Sequence, residues 1–354
     1  MSIYKVGIIG CGRIAGDLED DLLRQHPCTH VGAYKNNPAV EIVACCSQHA
    51  DNAQRFAEKF SISRYYTDYR TMLREEALDI VSIATYAPSH CTITLEAARH
   101  KVKGIFCEKA MATSIREAEL MIQACTRHKV VLMVNHTRRW AGDFIHAKEM
   151  IERGAIGKLQ SLNGTFSGNL IHTGIHMFDA MIFFAGIPHT VWGILKDSEK
   201  ADRIRSGYTF FQDTNPLEDK DGVITISFKN GVIGQVLGLG KRYFVFELDI
   251  QGSEGRIRIG NGLFEYWKMA PSKHYADFRD LALQPYRVPP APLPFVAAVK
   301  DLIVAIEEKR DTRCSGKEAL KSLEVALAAH ISDAHKGKPV SLPLKNKTMR
   351  VVSR

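Results

Sequence analysis

From residue 3 to about residue 135, short apolar runs alternate with stretches whose apolar residues recur every three or four positions. That is the pattern of strands joined by crossover helices in a parallel sheet. The runs at 3–9, 40–46, 80–85, 104–107 and 130–134 predict strands, and 50–60, 91–100 and 115–128 predict the helices between them. Beyond His136 a helix is expected over 144–153, and then the periodicity changes to two. Val223 to Phe228 alternates and ends at Asn230-Gly231, a two-residue hairpin signal, with a return strand over 232–239. Strands over 256–259 and 263–267 flank a second such turn, Asn261-Gly262. The stretch 285–294 holds five prolines and reads as an extended connector, and 317–334 has the spacing of one more helix. The segments 197–218 and 268–286 carry no readable motif and are expected to be pocket loops. The expected fold class is α/β: a doubly wound parallel sheet over 1–135, then an α+β unit over 136–354 built on a large, mostly antiparallel open sheet.

Length agrees with two units, because 354 residues exceed what one hydrophobic core usually supports. Apolar and charged fractions of 45% and 24% are those of an ordinary globular protein. The N-terminus lacks the three regions of a secretory signal, and no apolar run reaches the ~20 residues needed to span a bilayer. A cytoplasmic protein without a membrane partner is therefore expected. The net charge of +8 comes from dispersed Lys and Arg rather than a basic block, which argues against nucleic acid and suits a small phosphate-bearing ligand. The eight cysteines form no C-x-x-C pair and read as structural thiols.

Gly10-Cys11-Gly12-Arg13-Ile14-Ala15 is a G-x-G-x-x-A motif directly after the first predicted strand. In that place Gly10 permits a tight turn, and Gly12 lets backbone N–H groups approach a pyrophosphate. Ala15 allows close packing of a following helix whose N-terminus favours negative charge. A dinucleotide is the expected ligand. At the end of the second strand, where NAD-binding proteins usually carry a carboxylate for the adenosine ribose, this chain has Ser47, so NAD or NADP is expected. The unusually long distance from Gly12 to Ser47 predicts an inserted loop around 17–28.

Glu108-Lys109 follows another strand at the ligand-binding edge of such a sheet, where an ammonium group stabilises charge developing on a substrate oxygen. His172, His176 and Asp179 would share one face of a helix. Oxidising an alcohol needs a proton acceptor while hydride leaves, and an imidazole suits that task. The histidine pair lacks the H-E-x-x-H pattern and a third ligand, so no metal is assigned to it.

These motifs resemble the Gfo/Idh/MocA oxidoreductase family over nearly the whole chain. They include residues 10–15, Asp79 to Thr85 with Pro88 and His90, Cys107-Glu108-Lys109, Asn135 to Trp140, Gly174 to Asp179, and Gly252-Ser253-Glu254-Gly255. The resemblance implies an enzyme that transfers hydride between nicotinamide and a sugar, sugar nucleotide or inositol-like polyol, with Lys109 and His176 catalytic. It implies that Thr85, His90 and Glu108 line the cofactor and that Arg138, Trp140, His172 and Asp179 lie near the substrate. It also implies a homodimer or homotetramer formed through the C-terminal sheet. Two positions depart from the family pattern: Ala110 replaces the usual proline after the lysine, and His172 stands where an aspartate is usual. A catalytically silent nucleotide sensor or scaffold and an NAD-dependent glycosidase are the alternative functions.

Overall fold

The computed structural model describes residues 3–196, 217–240 and 243–352, which form two compact units. The first comprises the chain up to Trp140 and Pro292–Leu320; the second begins at Ala141 and includes Lys321–Arg354. The units thus interleave along the chain rather than meeting at a single boundary.

The first unit is a six-stranded parallel sheet of β1 (Tyr4–Ile9), β2 (Val40–Cys46), β3 (Arg64–Tyr66), β4 (Ile80–Ile83), β5 (Gly104–Cys107) and β6 (Val131–Val134). Its spatial order is β3-β2-β1-β4-β5-β6, the doubly wound arrangement, with the direction of winding reversing between β1 and β4. β1, β4 and β5 are apolar runs with little alternation because helices cover both faces. The helices Ala50–Phe60 and Ile115–His128 coincide with their sequence patterns, and Ser114 caps the second by accepting the Glu117 N–H. β3 escaped the sequence reading because its three residues, largely exposed, offer no hydrophobic period.

A helix directly after the glycine loop does not form. The chain instead makes turns and a short 3₁₀ segment, Asp17–Asp20, and the first α-helix is His30–Lys35, capped by Thr29. Gly16 sits so close to Phe56 and Phe60 that an added Cβ would lie 2.5 Å from the Phe60 ring. The acidic run that follows then turns back as the expected insertion. A second difference is the helix Pro294–Glu308, which opens at the end of the proline-rich stretch. Proline at the first helical position loses no hydrogen bond, so this run starts a helix rather than merely connecting two elements.

The second unit holds β7 (Leu159–Phe166), β8 (Pro188–Lys196), β9 (Leu217–Glu218), β10 (Asp221–Phe228), β11 (Ile233–Gly238), β12 (Phe246–Gly252), β13 (Gly255–Gly260), β14 (Leu263–Pro271), β15 (Arg279–Gln284), β16 (Val340–Ser341) and β17 (Val351–Val352). Nine of them form one sheet, ordered β15-β14-β13-β12-β7-β11-β10-β8-β16, in which only β11 and β7 run parallel. β14 and β15 occupy most of 268–286, so that segment is a paired sheet edge rather than a pocket loop. The expected loop 197–218 lies largely outside the described residues. The helices Ile175–Ala185 and Gly316–Ala334 cover one face: Gly164 admits the Met177 side chain, and Gly193 admits the Ala329 backbone. Among the described residues no helix is long and apolar enough to cross a membrane.

Candidate functional site

The carboxyl ends of β2, β1, β4 and β5 lie side by side and carry Ser47, the Gly10–Ala15 loop, Thr85 and Glu108-Lys109 in turn. An open parallel sheet binds ligands at this edge, next to the point where its winding reverses. Gly10 has φ +100°, and an added Cβ would stand 2.5 Å from the Ala84 carbonyl oxygen, so only glycine fits between the two strand ends. Gly12 differs, since a Cβ there would meet nothing within 4 Å. The space over Gly12 is left clear by the protein, as a pyrophosphate cradle requires. Ala15 is buried, Ile14 half-buried and Arg13 exposed. The Ile14 and Ala15 carbonyls accept from His30 and Val31 N–H, which ties the loop to the start of the helix His30–Lys35.

Ser47 is half-buried at the end of β2, and the Asn52 side-chain amide bridges its Oγ (3.1 Å) to the Cys11 carbonyl (3.2 Å). Thr85 accepts from the Ser89 hydroxyl at 2.8 Å. His90 is fully buried, with its ring nitrogens 3.0 Å from the Thr85 carbonyl and 2.9 Å from the Ala110 carbonyl. It therefore braces the segments that follow β4 and β5. Burial pushes its pKa down toward the neutral form, against the hydrogen bonds that favour charge.

Glu108 does not open toward a ligand. It is only 5% exposed, and its Oε1 meets His30 Nε2 at 3.0 Å and the Asn135 side-chain amide. Ser82 Oγ lies 2.5 Å from the other nitrogen of His30. Burial works to raise the Glu108 carboxyl, but the His30 and Asn135 contacts and the Lys109 charge outweigh it and hold the group below the ordinary glutamate range. Its Oε2 accepts the Lys109 backbone N–H at 3.3 Å. Lys109, half-buried, thus sits on an anchored carboxylate; the Lys109–Ala110 peptide bond is cis. Sequence reading missed His30, Ser82 and Asn135 as a group, because the 78-residue separation of His30 and Glu108 leaves no local pattern.

Arg138 and Trp140 lie in a 3₁₀ turn after β6. Arg138 is half-buried, whereas Trp140 is 1% exposed and donates its indole N–H to Asp301 Oδ2 at 3.1 Å. Trp140 is packed into the first unit.

In the second unit the segment carrying the histidines is not one regular helix. Leu170–Gly174 is a π turn that passes into the α-helix Ile175–Ala185, so His172 precedes the α-helix that carries His176 and Asp179. His172 is exposed beside Thr173, His176 half-buried and Asp179 buried. Asp219 was not foreseen. Its carboxylate accepts the Ile171 N–H at 3.0 Å and the His172 N–H at 3.1 Å, capping the π turn from 47 residues away. An anchored carboxylate at that end fixes where the first turn bearing His176 begins.

Comparisons with known proteins identify the family of both parts of the chain. The sequence profile described as "Oxidoreductase family, NAD-binding Rossmann fold" matches residues 4–136, and its C-terminal alpha/beta domain profile matches residues 160–342. The chain is 31% identical over 200 residues to a D-apiose dehydrogenase of Paraburkholderia graminis, a match covering 52% of this chain and 50% of that protein. It thus spans about half the length of that relative. It is 22% identical to a myo-inositol 2-dehydrogenase of Thermotoga maritima, over 73% of this chain and 75% of the relative. Levoglucosan dehydrogenase, solved with NADH and levoglucosan, has the same fold, with a TM-score of 0.79 at 21% identity over 97% of this chain and all of the other.

Proposed function

Because the chain belongs to the Gfo/Idh/MocA oxidoreductase family, whose first domain is an NAD-binding Rossmann fold, we propose that it moves a hydride between nicotinamide and a carbon of a sugar or inositol-like polyol. The observation carrying this reading is the row of strand ends that sets Lys109 one strand beyond the pair, β1 and β4, at which the winding reverses. A dinucleotide held by Gly10, Gly12, Arg13, Ile14 and Ala15, with Ser47 at its ribose and Thr85 and His90 further along, supplies the hydride acceptor. When the alcohol is oxidised, its C–H bond yields the electron pair as hydride, the O–H proton leaves, and C–O becomes C=O. Lys109 donates a hydrogen bond to that oxygen, and His176 exchanges its proton. The relatives' names, which specify apiose and inositol, support a polyhydroxylated substrate. The test is nicotinamide absorbance with NAD or NADP against a panel of pentoses, hexosides and inositols. Lys109→Met should keep dinucleotide binding and lose roughly 100-fold to 10,000-fold in turnover. Undiminished turnover in that variant would remove Lys109 from the reaction.

We also propose self-association through the second unit's sheet. On its uncovered face Val223 pairs in register with Ile194 on one side and Leu237 on the other, and these three are 55%, 70% and 43% exposed. A contiguous apolar row of this kind suits a second copy of the chain. Sedimentation should show a homodimer or homotetramer that Val223→Lys dissociates. All eight cysteines are thiols rather than disulfides, which supports a reducing cytoplasmic location.

A further inference from the structure

The inserted segment between the glycine loop and the first α-helix brings together three side chains that the proposed reaction does not use. His26 Nδ1 lies 3.0 Å from Glu19 Oε2 and 3.6 Å from Cys28 Sγ, and all three donor atoms fall within 4.8 Å of one another. Zinc bonds of about 2.0–2.3 Å to N, O and S set tetrahedral edges of about 3.4–3.6 Å, close to the two distances from His26 Nδ1.

The contacts around His26 already hold it in an orientation that a metal ligand needs. Its Nε2 lies 2.9 Å from the Asp21 carbonyl, which can only accept, so this nitrogen donates. Nδ1 faces a carboxylate oxygen and a sulfur, and binding a metal there would release any proton it carries. The Cys28 thiol has its own acceptor in the Leu18 carbonyl at 3.4 Å. Glu19 Oε1 accepts from the Thr29 hydroxyl and the Cys28 N–H, which fixes the carboxylate and leaves Oε2 facing His26. Neighbouring acids are matched differently: Asp17 pairs with Arg55 and Lys59, and Asp20 with Lys59. Among the described residues, His26 is the only basic side chain paired with Glu19. A histidine that donates one ring N–H to a backbone carbonyl and offers the other nitrogen to a metal is the usual outer-shell arrangement of metal sites.

We propose that Glu19, His26 and Cys28 bind a zinc-type divalent cation, with water completing a four-coordinate shell. On binding, the Cys28 S–H bond breaks, the proton passes to solvent, and Sγ forms the metal–sulfur bond. The two anionic ligands then balance the metal's two positive charges. Soft thiolate with imidazole and one carboxylate selects Zn²⁺ over Mg²⁺ or Ca²⁺. The site closes the base of a loop whose tip has no core of its own, Leu22 and Leu23 being 91% and 98% exposed. It leads through Thr29 straight into the helix that begins at His30.

The experiment uses the full chain freed of metal by chelation. Co²⁺ titration should give a thiolate-to-cobalt absorption band that saturates at one equivalent and is displaced by Zn²⁺. Zinc calorimetry should show proton release that varies with buffer. Cys28→Ser should abolish the band, and His26→Gln should weaken zinc binding by at least roughly tenfold. Both variants, without metal, should unfold at the wild-type midpoint and still bind the dinucleotide, which separates this site from the proposed activity. Equal metal uptake by wild type and Cys28→Ser would overturn the proposal. So would a nitrogen NMR spectrum showing His26 protonated on both ring nitrogens in the presence of Zn²⁺.

Discussion

His30 Nε2 lies 3.0 Å from Glu108 Oε1, joining the helix that follows the glycine loop to the residue before Lys109. The two ends of this bond are 0% and 5% exposed, so the contact is made away from solvent competition. Phe106 and Phe295 pack against the His30 ring, with centroids 4.5 and 5.5 Å away. A carboxylate enclosed in this way survives as an ion only because its partners are fixed.

Glu108→Gln keeps the shape and removes the charge. It should cost about 1.5–3 kcal/mol at pH 7, the worth of hydrogen bonds to a charged group. The folded carboxyl lies below its ordinary value. Its contribution is therefore present above the unfolded glutamate pKa of about 4.3 and is lost as pH falls through the folded value. Urea unfolding should show the gap between wild type and variant closing at acid pH. A gap that stays constant from pH 7 to pH 3 would mean that Glu108 is neutral in the fold.

Trp140→Phe tests whether this indole belongs to the core or to the substrate. Deleting the N–H leaves buried Asp301 short of one donor, although Arg313 N–H and Arg310 still reach it, at 2.9 Å each. The expected result is a loss of about 1–3 kcal/mol in unfolding free energy with substrate KM unchanged. A raised KM with unchanged stability would place the ring at the ligand instead.

The two loop glycines should fail in different ways. Gly10→Ala sets a Cβ 2.5 Å from the Ala84 carbonyl oxygen at φ +100°, so the apo protein itself should lose stability, by about 1–3 kcal/mol from strain alone. Gly12→Val meets no protein atom within 4 Å at its Cβ, so unfolding should barely change while dinucleotide binding collapses. Calorimetry and thermal melts of both variants check the pair. Tight dinucleotide binding by Gly12→Val would mean that the pyrophosphate lies elsewhere.

What the sequence made legible follows from distance along the chain. β2, β5 and the helices Ala50–Phe60 and Ile115–His128 end where their periodicity ends, because period and capping are local. The glycine loop was legible for the same reason: Gly10 answers to a strand and a turn within a few residues. His30 and Asp219 were not, since the partners they hold are 78 and 47 residues away and neither residue interrupts a pattern. The burial of Trp140 was hidden for the opposite reason. This residue stands in a motif-like stretch, and only the return of the helix Pro294–Glu308 to the first unit encloses it. The π turn at Leu170–Gly174 was not legible, because a four-residue interval such as His172 to His176 fits a π turn as well as an α-helix.

Cofactor choice gives the last prediction, and it rests on Ser47. At the end of β2, beside the glycine loop, a carboxylate in this position would accept the ribose hydroxyls of NAD and oppose the 2′-phosphate of NADP. Ser47 carries no charge, and its Oγ is held by the Asn52 amide at 3.1 Å. Ser47→Asp should therefore leave the NAD dissociation constant within a few-fold of wild type and weaken NADP binding by at least about tenfold, or about 1.4 kcal/mol. The effect is electrostatic and partly exposed, so the shift in the NAD-to-NADP ratio should shrink as salt is raised above 0.1 M, where the screening length falls below about 10 Å. An unchanged ratio at low salt would mean that the adenosine ribose does not sit at Ser47.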